Sequence, residues 1–151
     1  MIVGFSISKI ESARHVPLEE LSKFRNINVN YDINLRNPTV NKAQAGEVLR
    51  VEYTVAINYL NPSIGYIRFE GFCDKIGGNP AQEKKNWDEG HADVQVQNEI
   101  ANNMMARIIP LALLLSQNLS LPPAVPMPVI NFQRPAEGAV PPADKFDQYH
   151  A

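Results

Sequence analysis

The sequence has only one cysteine, Cys73, and little net charge. A single cysteine excludes an internal disulfide framework and fits a reducing compartment, so we expect a cytoplasmic location. The 14 Lys and Arg residues are balanced by 16 Asp and Glu, for a formal charge of −2, and the basic residues are scattered along the chain. This balance argues against nucleic acid or an anionic membrane as the main partner.

Long continuous apolar runs are also missing. The N-terminus alternates apolar and small polar residues, which is typical of a strand and not of a signal peptide. The longest uncharged stretch, residues 108–133, is interrupted by Ser116, Gln117, Asn118 and Ser120 and then by prolines. Its helical apolar part is too short to cross a bilayer, so we expect no membrane insertion.

Groups that carry chemistry are few. His15, His91 and His150 lie in unrelated contexts, and none has metal-ligand spacing to another His, Cys or carboxylate. Cys73 is in phase with the apolar face of its segment, which favours packing over nucleophilicity. We therefore expect no cofactor, no metal and no enzymatic activity.

Four segments of the N-terminal half alternate apolar and polar residues with a period of two, which predicts strands with one buried face. Tyr53 and Phe69 lie on the apolar faces of the third and fourth segments. Short connections between the later strands predict an antiparallel meander covered on one side. The segments are residues 1–14, 26–36, 47–59 and 66–76, and the first places Val3, Phe5 and Ile7 on its buried face.

The period then changes to that of helices. Asn79 is a good N-cap and Pro80 suits the first helical position, so residues 80–89 are predicted to form a short helix. A longer helix is predicted from about residue 93 to 118, with an apolar stripe through Ile100 and Met104. Pro110 lies inside it and predicts either a kink or, alternatively, the end of one helix and the start of another. The predicted class is α+β: a four-stranded antiparallel sheet followed by a short and a long helix.

After the long helix the chain is rich in proline. Residues 121–132 cannot form a central strand because too many amide hydrogens are missing, so we expect an extended segment that presents Leu121, Val125, Met127 and Val129 to an apolar partner. The prediction is one domain over residues 1–133, followed by a flexible proline-containing tail over residues 134–151.

The order of these motifs resembles the SecB-type export chaperone family over about residues 2–132. The stretches "EVLRVEYTVAIN" and "GYIRFEGFCDKIGG" resemble its paired third and fourth strands, and Pro110 matches the proline of its "FPYAR" helix segment. Ile130 is a one-residue insertion in the exit motif. The residues on the family's "FPxLxLxPVNF" positions are Leu121, Pro122, Pro128, Val129, Asn131 and Phe132.

The resemblance implies a homo-oligomer, a dimer of dimers, that binds unfolded or precursor polypeptide clients without ATP in apolar grooves. It implies protein export or a dedicated antitoxin-like client as the role. The outward residues Arg50, Glu52, Arg68 and Glu70 mix both charges, unlike the family's acidic motor-binding surface. Client-binding residues are then expected at Leu121, Val125, Met127, Val129 and Phe132, with Tyr53 and Phe69.

A second hypothesis remains open. The same apolar residues also fit a structural or adaptor protein of SecB-like fold whose apolar surface is used only for oligomerisation. The two hypotheses differ in whether apolar surface stays exposed after assembly, since large exposed apolar patches usually mark binding sites.

Overall fold

The computed structural model describes residues 1–24, 26–60 and 62–123. Four antiparallel strands form one sheet, and two helices follow at the C-terminal side, which confirms the predicted α+β class. The elements are β1 (Ile2–Arg14), a 3-10 helix (Leu18–Lys23), β2 (Asn28–Ala43), β3 (Gly46–Leu60), β4 (Gly65–Ile76), α1 (Pro80–Asp88) and α2 (Val94–Asn118).

The strand order is β1-β4-β3-β2. The predicted meander therefore describes β2, β3 and β4, whereas β1 pairs with β4 at the opposite edge and not with its sequence neighbour β2. The connection that carries the 3-10 helix is long enough to cross from one edge of the sheet to the other, which a tight hairpin would forbid.

The core lies between one face of the sheet and the helices. The odd-numbered residues of β3 from Leu49 to Tyr59 are almost completely buried, as the alternation predicts. α2 packs on β4 and β1, and α1 packs near β2 and β3. The residues of α2 that complete this core are Val96, Ile100, Met104, Met105, Ile108 and Ala112.

Strand β1 departs from its predicted face at the start. Val3 is 40% exposed, whereas Phe5 and Ile7 pack against the core. The cause is an irregular register against β4 between Ile2 and Gly4, because a shift of one residue moves a side chain to the other face. The half-buried Ile2 packs against the core in this region.

Both predicted helices are present, and their caps explain where they begin. The Asn79 side chain accepts a 3.2 Å hydrogen bond from the amide of Gln82, and the Asp93 side chain accepts one of 2.9 Å from the amide of Gln95. α2 continues through Pro110 as one helix of 25 residues, so the alternative of two helices is wrong. Neither helix in the described part of the chain has the length and hydropathy of a membrane span.

Candidate client-binding surface

Helix α2 changes character along its length. Its first half is amphipathic, with Ile100 and Met104 fully buried and Asn103 exposed. From Ile108 to Leu115 no residue is polar, although only the side that carries Ile108 and Ala112 is buried on the sheet. A helix that is apolar all round normally has a cover on every side. The sequence thus contains apolar surface in excess of what the sheet can bury.

The outward side of this second half is where that excess lies. Leu114 is 55% exposed, and it is the most exposed large hydrophobic residue of α2. Its apolar neighbours on the helix are half-buried and pack only partly against the core; they are Ile109, Leu111, Leu113 and Leu115. We call Ile109, Leu111, Leu113, Leu114 and Leu115 the α2 apolar surface.

The end of α2 is a Schellman motif, in which a residue of left-handed backbone ends the helix. Ser120 adopts φ 55°, and its amide donates to the carbonyl of Gln117 at 3.1 Å. The next amide, of Leu121, donates to the carbonyl of Ser116 at 2.9 Å. Leu121 is buried, so the chain turns back from the helix end onto the sheet.

Side chains from the sheet hold this turn in place. The Tyr59 hydroxyl on β3 donates a 2.7 Å hydrogen bond to the carbonyl of Pro122, and Arg14 on β1 donates one of 2.7 Å to the carbonyl of Leu119. Gly65 makes room, since a Cβ there would lie 3.1 Å from the Leu121 methyl groups and 2.6 Å from the carbonyl of Ala13. We call this set the exit clamp: Arg14, Tyr59, Ser116, Leu119, Leu121 and Pro122.

The predicted client-binding residues divide into two groups. Tyr53 and Phe69 are fully buried and Leu121 is 5% exposed, so in the single chain all three are packing residues. Contact between these three and a client would require the elements that cover them to move away. The remaining predicted residues, Val125, Met127, Val129 and Phe132, lie outside the described residues.

Burial also determines the chemistry of the core's ionisable groups. It raises the pKa of the Tyr59 hydroxyl to about 12, with Tyr31 as a second cause, while a hydrogen bond with the Ser116 hydroxyl acts in the opposite direction. The pKa of Tyr53 is raised by burial, and its hydroxyl donates a 2.9 Å bond to the carbonyl of Ser6. Burial raises the pKa of Cys73 to about 12. Its thiol is therefore protonated at neutral pH and buried, which agrees with the packing role predicted from the sequence.

The other face of the sheet is polar. Arg50 forms two hydrogen bonds with Asp74, at 2.8 and 2.9 Å, and its guanidinium lies 3.9 Å from the centre of the Phe72 ring. Arg68 pairs with Glu70 at 2.7 Å. Charged side chains make this face polar, so it offers no apolar groove. Because positive and negative charges are paired across it, its electrostatic potential is not of one sign.

Two surface depressions are polar as well. One, of about 360 Å³, lies where β4, α1 and the start of α2 meet and contains the Lys75–Glu83 ion pair at 3.2 Å. The other, of about 250 Å³, lies on the polar face and is lined by residues such as Asp32 and Arg36. Neither is the predicted apolar groove. In the described part of the chain, no group of three or more His, Cys, Asp or Glu residues is placed to hold a metal ion.

No family model matches the chain, and no curated protein matches its sequence. Among solved structures, it is similar to the Mycobacterium tuberculosis Rv1957 SecB-like chaperone in complex with a ChAD peptide from the Rv1956 HigA1 antitoxin. The TM-score is 0.48 with 16% identity, over 89% of this chain and 92% of that chain.

Several residues of the site were not predicted from the sequence. The all-apolar run in α2 is visible in the sequence and could have identified Leu114, because a one-sided helix needs only a stripe. The exit clamp could not have been found in this way. Its bonds from Arg14 and Tyr59 end on backbone carbonyls, which carry no residue signature.

Proposed function

We propose that this protein is an ATP-independent holdase that binds unfolded or extended polypeptides through apolar contacts. The surface consists of the α2 apolar surface and the proline-rich residues 121–132 that follow it. The observation that carries the proposal is the exposure of Leu114 on an otherwise apolar half-helix. A contiguous apolar surface exposed to water is typical of a protein-interaction site.

The physical basis of binding is burial without sequence specificity. Leucine and isoleucine side chains on a helix accept many apolar partners, because the hydrophobic effect is not directional. Prolines in residues 122–128 remove amides that would otherwise pair in a sheet, so this stretch can offer side chains without becoming a strand itself. The polar outer face of the sheet keeps client binding on the helix side.

The finer assignments rest on the sequence resemblance. They are assembly as a dimer of dimers, client contacts by Val125, Met127, Val129 and Phe132, and a role in protein export or in guarding an antitoxin-like client. The mixed charges around Arg50 and Arg68 give no acidic surface for a translocation motor. We therefore favour client holding over delivery to such a motor.

The experiment is suppression of aggregation. A chemically unfolded test protein is diluted into buffer without ATP, with this protein at equimolar chain and sized by light scattering. Suppression together with a stable complex supports the holdase. A well-folded oligomer that gives no suppression at severalfold excess contradicts it.

A structural or adaptor role is the second candidate, and one observation favours it. Val3 and Ile10 on the edge strand β1 are 40% and 46% exposed, and apolar residues on an edge strand favour pairing between copies. The two roles are separated by an apolar fluorescent dye added to the sized oligomer. Strong dye binding indicates that apolar surface survives assembly, as a holdase requires, and absence of dye binding favours the adaptor.

A further inference from the structure

We propose that Tyr59 and Arg14 are positioning residues for client binding. By holding residues 119–122 against the sheet, they fix the backbone position at which the proline-rich stretch begins. The inference rests on the proposed function, because it assigns to this turn a role in presenting the client-binding segment. Neither residue needs to touch a client.

The backbone of the turn shows why external support is needed. The left-handed position of a Schellman motif is usually glycine, and here it is Ser120 at φ 55°. A side chain in this conformation is unfavourable, and it persists where the surroundings hold it. The two backbone hydrogen bonds of the motif close the helix end, and the bonds from Arg14 and Tyr59 join that end to β1 and β3.

Tyr59 is well suited to this role because its ring cannot move independently of the sheet. It is fully buried on β3, where Val29 of β2 and Gly65 of β4 are its strand partners. Its hydroxyl therefore presents a fixed donor to Pro122, which lacks an amide of its own but keeps its carbonyl. The sheet thus determines the position of residue 122, the second residue of the proline-rich stretch.

Tyr53 provides a matched control within the same strand. It is also fully buried, and it also donates its hydroxyl to a backbone carbonyl, that of Ser6 on β1. Tyr59→Phe and Tyr53→Phe each remove one buried oxygen. Tyr53→Phe loses the bond to Ser6, and Tyr59→Phe loses the bond to Pro122 together with the interaction with the Ser116 hydroxyl. Only Tyr59→Phe removes a contact with the chain after α2.

The test measures amide hydrogen exchange of Leu121 and aggregation suppression in both variants of the full-length protein. Losing one such bond makes local opening about two- to tenfold more frequent. We therefore expect exchange at Leu121 to accelerate by that factor in Tyr59→Phe and to stay unchanged in Tyr53→Phe. We also expect client release from Tyr59→Phe to be faster than from the unmodified protein. Arg14→Gln, which removes the bond to Leu119, serves as a second variant if Tyr59→Phe folds poorly.

If the amide exchange rate of Leu121 is unchanged in Tyr59→Phe, or rises equally in both variants, Tyr59 does not hold the turn in place. Faster exchange with unaltered client release overturns the positioning role. If the unmodified protein holds no client, the proposed function fails, and the exchange data still decide separately whether Tyr59 fixes the turn.

Discussion

Leu114→Gln tests the α2 apolar surface most sharply. Glutamine has a helix propensity close to that of leucine, so the helix itself is retained. Leu114 is already 55% exposed, so loss of the part that is buried is expected to lower the free energy of unfolding by only about 0.7–1.4 kcal/mol. Any large effect on client binding would then come from lost contact and not from lost structure.

The expected size follows from the exposed fraction. Complete burial of a leucine side chain is worth about 1.5–3 kcal/mol. The 55% that remains exposed can therefore contribute about 0.8–1.6 kcal/mol when a client covers it. The dissociation constant for the client should therefore rise about fourfold to fifteenfold.

The assay is fluorescence anisotropy of a labelled, permanently unfolded polypeptide, with thermal unfolding and light scattering on the same samples. Asn103→Gln is the control, because residue 103 lies three turns earlier on the same side of α2 and is exposed. An unchanged dissociation constant for Leu114→Gln would show that Leu114 makes no contact with the client. A smaller oligomer together with lost binding would assign Leu114 to assembly and favour the adaptor role.

Three further predictions concern separate parts of the molecule. Burial raises the pKa of the Cys73 thiol to about 12, so the folded protein should not react with a thiol reagent at neutral pH, whereas the protein unfolded in urea should react fully. Because the pKa is higher in the folded state than in the unfolded state, the thiol's contribution to stability is present below about pH 9 and is lost as the pH rises toward 12. Unfolding curves measured at alkaline pH should show this loss. Gly71→Ala should destabilise the fold by about 3 kcal/mol or more, because a Cβ would lie 1.9 Å from the Ser6 carbonyl; a denaturation midpoint like that of the original protein would contradict the β1–β4 packing. Val125→Asp should weaken client holding and leave circular dichroism unchanged, and unfolding of this variant would make residue 125 part of the core.

The strands and helices were predictable because each has a local signature. The apolar positions that alternate along β3, such as Tyr53, are the ones buried in the folded sheet. Asn79 and Asp93 cap the two helices, as their residue types indicate. β2 was predicted to end near residue 36 and runs to Ala43. The alternation is interrupted at a register shift between Arg36 and Thr39, where Asn37 adopts φ 53°.

The arrangement of these elements required non-local information. Pairing of β1 with β4 joins residues that are about 60 positions apart, and nothing in either strand specifies the other. Complete burial of Tyr53 and Phe69 likewise follows from packing that their own apolar alternation does not determine. An apolar position indicates that a side chain will be covered. It does not indicate whether the cover is the chain's own helix or a client.

A hydrogen-exchange footprint of the protein, with and without a bound, permanently unfolded polypeptide, shows directly where a client binds. We predict new protection in residues 108–121, which contain the α2 apolar surface and the turn that follows it, with little change on the polar face of β3 and β4. Protection on the polar face of the sheet, or a bound client that leaves residues 108–121 unprotected, would contradict this prediction.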